Sequence, residues 1–169
     1  MLHEAKIDNC SELILEGYSY WKSKNINHIL PTWSCINPAE IKSLLPNIVV
    51  LHVDHTPLDF IEKITGDMIL SRSKENTMGI NWRDYQGRGP ESKIWQVMEE
   101  VVVTKQPSFH SIPYVGIHKE FMEIETVTCP ISEDGETVSR IICFVEYIPF
   151  SEEASAMEYL KNEHSHFVL

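Results

Sequence analysis

The side chains that could carry out chemistry in this chain are scattered, and few of them stand at the spacings that catalysis or metal binding requires. There is no Gly-x-Ser-x-Gly sequence for a serine nucleophile and no His-Glu-x-x-His sequence for zinc. Gly87-Arg88-Gly89 lacks the spacing of a phosphate-binding loop. Adjacent carboxylates such as Glu99 and Glu100 are expected to be ordinary charges of a solvated surface, and His164 and His166 are predicted to lie on a frayed tail. These patterns predict a protein that is not an enzyme and has no metal site.

The cysteines are predicted to be reduced thiols. The four are Cys10, Cys35, Cys129 and Cys143, and no two of them form a Cys-x-x-Cys pair. Residues 1–8 have neither a basic patch nor a long apolar stretch, so we expect no secretory signal peptide. Free cysteines are most often small buried hydrophobes. Reduced thiols in a chain without an expected secretory signal predict a cytoplasmic protein.

Length and charge limit the classes of partner. The chain has 169 residues and 43% apolar residues, which is enough for the core of one ordinary domain. The 14 basic and 25 acidic residues give 14 − 25 = −11 charges. Nucleic acids and anionic lipids are bound by neutralising phosphates, so neither is expected as a partner. No apolar run reaches the roughly 18 residues of a membrane span.

The periodicity of apolar residues predicts an α+β domain. Helices are predicted at about 10–24 and 37–45, followed by strands at 47–53 and 59–64. Short helices at 66–89 and a long helix at 90–105 come next. Three strands at 109–116, 121–131 and 138–148 and a last helix at 151–163 complete the order. Glu133-Asp134-Gly135-Glu136 is a strong hairpin signal between the last two strands. We divide the chain into an N-terminal helix and lead-in at 1–27, a domain at 28–150 and a C-terminal helix and tail at 151–169. The strands form one five-stranded antiparallel sheet in this interpretation.

The last strand is apolar on both sides, which means that both faces of the sheet need a cover. Cys143 and Tyr147 share the face expected to form the core, whereas Ile142 and Phe144 lie on the other face beside Arg140. The N-terminal helix or a second copy of the chain could cover that second face. We predict a homodimer, with the helix acting as an intramolecular cap as the alternative. The predicted dimer or partner contacts are Leu13, Ile14, Tyr18, Trp21, Ile142 and Phe144.

Several short stretches resemble those of a known family. They are Tyr20-Trp21-Lys22, Leu30-Pro31, Ile36-Asn37-Pro38-Ala39-Glu40-Ile41-Lys42, Leu44-Leu45-Pro46-Asn47-Ile48, Ile64-Thr65-Gly66, Thr77-Met78-Gly79 and Cys129-Pro130-Ile131-Ser132-Glu133-Asp134-Gly135. With the element order, they make the chain similar to the PAS superfamily, and more narrowly to a bacterial family of short, single-domain PAS proteins. One departure is Glu62-Lys63-Ile64, where that family often has an arginine before the glycine corner.

The resemblance implies a sensory or regulatory domain. PAS domains bind small molecules between the inner face of the sheet and the helical segment, and most are not enzymes. The side chains that would line such a site are mainly aromatic residues and methionines, which suit a hydrophobic or aromatic ligand with a few polar contacts. They are Phe60, Met68, Trp82, Tyr85, Trp95, Met98, Tyr114, Met122, Ile124, Thr126, Cys143 and Tyr147. The alternative is that these side chains simply fill a core.

The sequence does not identify a cofactor. The long helix at 90–105 contains no histidine, where haem-binding PAS domains commonly have their ligand, so His110 is left as the best haem candidate. Covalent flavin photochemistry needs a reactive cysteine in the middle segment, and none lies between Cys35 and Cys129. Haem and flavin are therefore both disfavoured, and the cofactor stays unknown.

The preferred interpretation is a PAS-type sensor of a small hydrophobic or aromatic molecule. Ligand binding would shift the population of arrangements of the sheet and its covering helices. The signal would pass through dimer contacts or to a separate output protein. A ligand-free adaptor with a filled core is the main alternative, and a haem or flavin sensor and a cone-fold enzyme are further ones.

Overall fold

A computed structural model describes residues 9–27, 29–114, 118 and 121–150, without the side chains of Pro113 and Met122. The sheet is formed by β1 (Ile48–His55), β2 (Leu58–Thr65), β3 (Ser108–Pro113), β4 (Phe121–Ser132) and β5 (Val138–Pro149). The α-helices in these ranges are α1 (Glu12–Lys24), α2 (Asp67–Leu70) and α3 (Lys93–Thr104). Single 3-10 turns lie at Trp33–Cys35, Pro38–Ile41, Leu45–Asn47 and Trp82–Asp84. The predicted helix at 151–163 lies outside the described residues.

The sheet is antiparallel throughout, with the strand order β2-β1-β5-β4-β3. The last strand, β5, therefore lies at the centre, between β1 and β4. The predicted hairpin between β4 and β5 is confirmed, and its Gly135 has a φ of 81° that a side chain would strain. The predicted α+β class with five antiparallel strands is confirmed as well.

Alternation along β4 and β5 gives the sheet two buried faces. The inner face carries Thr128 and Cys143 and lies under α3 and segment 66–92. The outer face carries Val127 and Phe144 and lies under α1. The Trp21 indole of α1 donates a hydrogen bond of 2.8 Å to the Pro130 carbonyl of β4. Both faces of the centre of the sheet are therefore covered within a single chain.

Local sequence explains where the helices begin and end. The Ser92 hydroxyl accepts a hydrogen bond of 3.2 Å from the Trp95 N–H and so caps α3, which ends at Lys105 in the left-handed conformation. The predicted helix at 37–45 is wrong in type: the stretch forms two 3-10 turns, and Pro46 has no N–H with which to continue a helix from the first turn into the second. The Asn37 side chain still caps the first turn through the Ala39 N–H. In the described ranges, no helix combines the length and apolar character needed to cross a bilayer.

Candidate functional site

Part of the inner face is filled by an aromatic group that the sequence analysis assigned to ligand binding. Phe60, Trp82, Trp95 and Met98 each expose 5% or less of their surface. The centroid of the Phe60 ring lies 4.8 Å from that of Trp95 and 6.0 Å from that of Trp82, both in edge-to-face geometry. Rings in such contact stabilise one another beyond their burial. These residues act as core packing between β2, α3 and the Trp82 turn.

The opposite end of the inner face is only partly covered. Ile112, Ile124 and Tyr147 are direct neighbours across β3, β4 and β5. Ile112 is 36% exposed, and Ile124, Thr126 and Tyr147 are half-buried. We call these four residues the open end of the inner face. The predicted lining residue Met122 has a side chain outside the described part of the chain.

An aromatic cluster borders the open end. Its rings are Tyr114, Phe121 and Tyr147, and their centroids lie 5.4 to 5.7 Å apart. The Arg72 guanidinium lies over two of them, 4.5 Å from the Phe121 centroid and 4.7 Å from the Tyr147 centroid. Burial raises the pKa of Tyr147, and the positive charge of Arg72 opposes part of that rise. The cluster therefore holds a cation against aromatic faces at the mouth of the open end.

Two predicted lining residues lie elsewhere. Met68 is 38% exposed, and its neighbour Ile69 is the residue of α2 that is buried. Tyr85 donates a hydrogen bond to the Glu75 carboxylate, which raises the pKa of Tyr85. One helical turn can direct only one of these adjacent apolar residues into the core, and it directs Ile69 rather than Met68.

Polar groups occupy the centre of the inner face beneath α3. Ser108, Thr128 and Cys143 are neighbours across β3, β4 and β5, and all three are buried. The Thr128 hydroxyl has no hydrogen-bond partner among the described residues, although it lies near enough to the Cys143 thiol to affect it. Burial raises the pKa of Cys143 to about 12, and Thr128 opposes part of that rise. A thiol is a weak hydrogen-bond partner, so this buried hydroxyl keeps hydrogen-bonding capacity for a ligand.

The haem candidate His110 lies beside this polar group. Its Nε2 is 2.7 Å from the hydroxyl of Ser108, and its cross-strand neighbour is Thr126 of the open end. Across the part of the chain that the structure describes, no three His, Cys, Asp or Glu side chains are placed to hold a metal ion.

A buried carboxylate in β2 binds the segment at 77–88 to the sheet. Glu62 is 3% exposed and accepts hydrogen bonds from the hydroxyls of Thr65, at 3.1 Å, and Thr77, at 2.8 Å. The Arg88 guanidinium lies 3.1 Å from its other oxygen. Arg88, from the loop before α3, thus supplies a positive charge that balances the Glu62 carboxylate. This pair is a structural ion pair at the border of the core.

A second carboxylate of β2 binds the same segment. Asp59 is buried and accepts hydrogen bonds from the Asn81 side chain, at 2.9 Å, and from the Arg83 backbone N–H, at 3.0 Å. The Arg83 guanidinium also donates to the Leu58 carbonyl. The segment at 77–88 is therefore fixed along the edge strand β2 and covers the polar backbone of that edge.

The predicted dimer or partner residues belong to the outer face. Four of them are 3% exposed or less within the chain itself, namely Ile14, Trp21, Ile142 and Phe144. The other two, Leu13 and Tyr18, are half-buried. α1 thus covers the apolar outer face, as in the intramolecular alternative. The homodimer stays a prediction. Among these six residues, only Leu13 and Tyr18 remain partly exposed and could contact a second copy of the chain.

A groove of about 480 Å³ lies beside the end of α1. Its lining comes from α1 and the residues after it and from the turn that follows α3, namely Tyr18, Trp21, Lys22, Asn25, Asn27, Gln106 and Pro107. The lining combines aromatic, amide and ammonium groups, which is typical of a surface that makes mixed polar and apolar contacts.

Two solved structures are similar to this chain. A sensory box sensor histidine kinase from Vibrio cholerae matches with 20% identity and a TM-score of 0.46, over 66% of this chain and 90% of its own. A light-oxygen-voltage domain, solved in work with a flavin analogue, matches with 17% identity and a TM-score of 0.47, over 76% of this chain and 93% of its own. No protein-family model matches the chain, and no curated protein matches it either.

The order of elements in the chain itself decides the fold. Two paired strands, short helical turns, one long helix and a three-stranded meander follow one another, as the resemblance implies. The chain has the PAS fold. In this fold, α3 and segment 66–92 cover the inner face and α1 covers the outer face. The candidate site is the open end together with the polar centre beneath α3.

Sequence reasoning missed Arg72 and the buried Thr128 hydroxyl. Thr128 carried a signal, since it lies on the same face as the predicted residues Ile124 and Thr126. Arg72 carried none, because its ring partners lie about 50 and 75 residues away and only the fold brings them together.

Proposed function

We propose that this PAS domain is a sensory or regulatory module that binds a small hydrophobic or aromatic molecule at the inner face of its sheet. The observation that supports the proposal is the partial cover of the open end, where Ile112, Ile124 and Tyr147 are not fully buried. A ligand over these side chains would bury apolar surface, which contributes roughly 25 cal/mol per Å². The Thr128 hydroxyl, deeper on the same face, offers a polar contact.

β5 offers a route from a ligand to the outer face. Tyr147 belongs to the inner face, whereas Phe144 of the same strand lies against Gly17 of α1. In β4, the Glu125 carboxylate next to Thr126 accepts a hydrogen bond of 2.8 Å from the Ser11 N–H, at the start of α1. A ligand that moves β4 or β5 would favour one seating of α1 over another. A second copy or a separate output protein would read that change at the surface of α1 and its groove.

Native mass spectrometry of the freshly purified protein, with an absorbance spectrum, tests the proposal. We expect extra mass that is lost on denaturation. An Ile124→Trp variant fills the open end and should lose this mass while keeping its circular dichroism spectrum. The matched control is Val103→Trp on α3, where the side chain is 74% exposed, and it should keep the mass. Extra mass that persists in Ile124→Trp would place the ligand elsewhere.

The second candidate function is a ligand-free adaptor. The nearly complete burial of Phe60, Trp82 and Trp95 favours it, because a core packed in this way needs no ligand. An adaptor would show the mass of the bare chain, and small molecules would not raise its melting temperature. A partner pull-down with a Tyr18→Ala variant as the control would then identify its contacts.

A further inference from the structure

All four arginines of the chain lie over aromatic rings, and three of them also have an acceptor. Arg83 lies over Trp95 and donates to the Leu58 carbonyl. Arg88 lies over Trp82 and is paired with Glu62. In the same way, the guanidinium of Arg140 lies over Trp33 and is paired with Glu133. Stacking and an edge-on acceptor are compatible, because a guanidinium offers its flat face to a ring and its five N–H groups in the plane.

Arg72 differs from the other three. Its guanidinium lies over Phe121 and Tyr147, but its side chain makes no hydrogen bond or ion pair with any described residue. The chain contains 25 carboxylate side chains and 14 basic ones, so a half-buried guanidinium with no acidic partner among the described residues stands out against its surroundings. The side-chain nitrogens of Arg72 are not completely buried, so water reaches the N–H edge of the guanidinium.

The backbone around Arg72 is held in place. The Tyr114 hydroxyl lies 3.5 Å from the Arg72 carbonyl, and the His118 Nε2 lies 3.3 Å from the Ser71 carbonyl. The His118 N–H in turn donates a hydrogen bond of 3.2 Å to the Tyr114 hydroxyl. The two ring contacts hold the guanidinium beside Tyr147 of the open end, on a backbone that these hydrogen bonds fix. Such positioning lowers the entropy cost of binding an anion.

We propose that Arg72 binds the carboxylate of a small organic acid whose apolar body lies against the open end. This inference rests on the proposed function and deepens it, since it assigns the ligand a negative group. A planar carboxylate fits the guanidinium fork with two hydrogen bonds. One cation balances one carboxylate, whereas a phosphate carries more charge than Arg72 alone neutralises.

Arginine side-chain NMR tests the proposal on the intact chain. Four Nε–Hε signals are expected, and Arg72→Gln assigns that of Arg72. The probes are phenylacetate, its neutral analogue phenylacetamide and inorganic phosphate, each at about 10 mM, above the millimolar dissociation constants of weak ligands. We expect phenylacetate to shift the Arg72 signal saturably and Arg72→Gln to weaken phenylacetate binding roughly tenfold or more. Arg72→Lys keeps the charge without the fork and should recover only part of the affinity.

The control is Arg140→Gln, which removes a stacked arginine that already has an acidic partner. It should leave phenylacetate binding unchanged. Equal binding of phenylacetate and phenylacetamide, insensitive to Arg72→Gln, would overturn the carboxylate contact but leave binding at the inner face intact. A larger shift with phosphate than with phenylacetate would overturn the assignment to a carboxylate. An Arg72 signal that responds to neither anion would overturn the anion site, whatever native mass spectrometry shows.

Discussion

Replacing Gly17 with alanine tests whether α1 is seated on the outer face of its own sheet. An alanine Cβ at this position would lie 2.3 Å from Cγ of Phe144 and 2.7 Å from both Cδ atoms. Carbon atoms in contact prefer about 3.5–4.0 Å, so the overlap exceeds 1 Å. The Phe144 ring is fully buried and has little room to move aside. Gly17→Ala should therefore push α1 away from β5.

The expected size follows from two opposing effects. Alanine in the middle of a helix is favoured over glycine by about 1 kcal/mol. Overpacking a filled core costs typically about 1–3 kcal/mol, and this overlap lies at the upper end. The net loss is about 1–2 kcal/mol of unfolding free energy, which for a domain of this size lowers the melting temperature by roughly 2–8 °C.

Urea unfolding monitored by tryptophan fluorescence measures the loss, since Trp21 of α1 is one of the four tryptophans of the chain and is buried against the sheet. Ser19→Ala, at an exposed position of the same helix, is the matched control and should be neutral or slightly stabilising. Gly17→Ala combined with Phe144→Leu should recover part of the loss, since the smaller side chain makes room. A Gly17→Ala protein that is about 1 kcal/mol more stable than the wild type would refute the contact. It would mean that α1 behaves as a helix free of the sheet.

Three further predictions concern single groups. Hydrogen bonding to Thr32 lowers the pKa of the exposed Cys35, whereas burial raises the pKa of Cys143 to about 12. Iodoacetamide at pH 8 should therefore alkylate Cys35 long before Cys143 in the folded protein. Peptide mass spectrometry measures the order of alkylation, and the reverse order would contradict the prediction. Hydrogen bonds from the Glu136 and Thr137 backbone N–H groups lower the pKa of Asp134, so the stability that this carboxylate contributes is present above its ordinary pKa near 4 and is lost as the pH falls. Asp134→Asn should therefore lower the melting temperature at pH 7, and the melting temperature of the variant should approach that of the wild type in acid. A difference in melting temperature that does not depend on pH would contradict this prediction. Glu62→Gln should lower the free energy of unfolding by about 1–3 kcal/mol. A double-mutant cycle with Arg88→Gln that shows no coupling energy would mean that the ion pair does not stabilise the fold.

The sheet could be predicted well from the sequence because its signals are local. Alternation along 138–148 assigned Cys143 and Phe144 to opposite faces, and the Asp-Gly turn fixed the hairpin before them. The helix predicted at 37–45 was wrong in type because a proline and a cap mark where a helical turn begins but do not distinguish a 3-10 turn from an α-helix. Local patterns thus give the strands and their faces, but not the details of the connections.

The candidate site could be predicted only in part. Period-two alternation shows which residues share a face, but it does not show which of them another element covers. Trp95 and Tyr147 were assigned to the same lining, yet one is fully buried under the aromatic group and the other is half-buried at the open end. The difference arises from the placement of α3, which is set by contacts between distant parts of the chain. For the same reason, the sequence does not show that Arg72 has no acceptor among the residues that the structure describes.

The two faces of β5 connect the proposed anion site to the seating of α1. Tyr147, under the Arg72 guanidinium, and Phe144, under Gly17, are three residues apart on one strand. If an acid bound at Arg72 favours one position of β5, a change that moves α1 must alter the affinity for that acid by the same factor as the acid alters the seating of α1. Gly17→Ala should therefore change the phenylacetate affinity although Gly17 lies on the opposite face of the sheet. An unchanged affinity, together with a loosened α1, would mean that the inner face binds its ligand without signalling through this helix, and the output would have to leave from another surface.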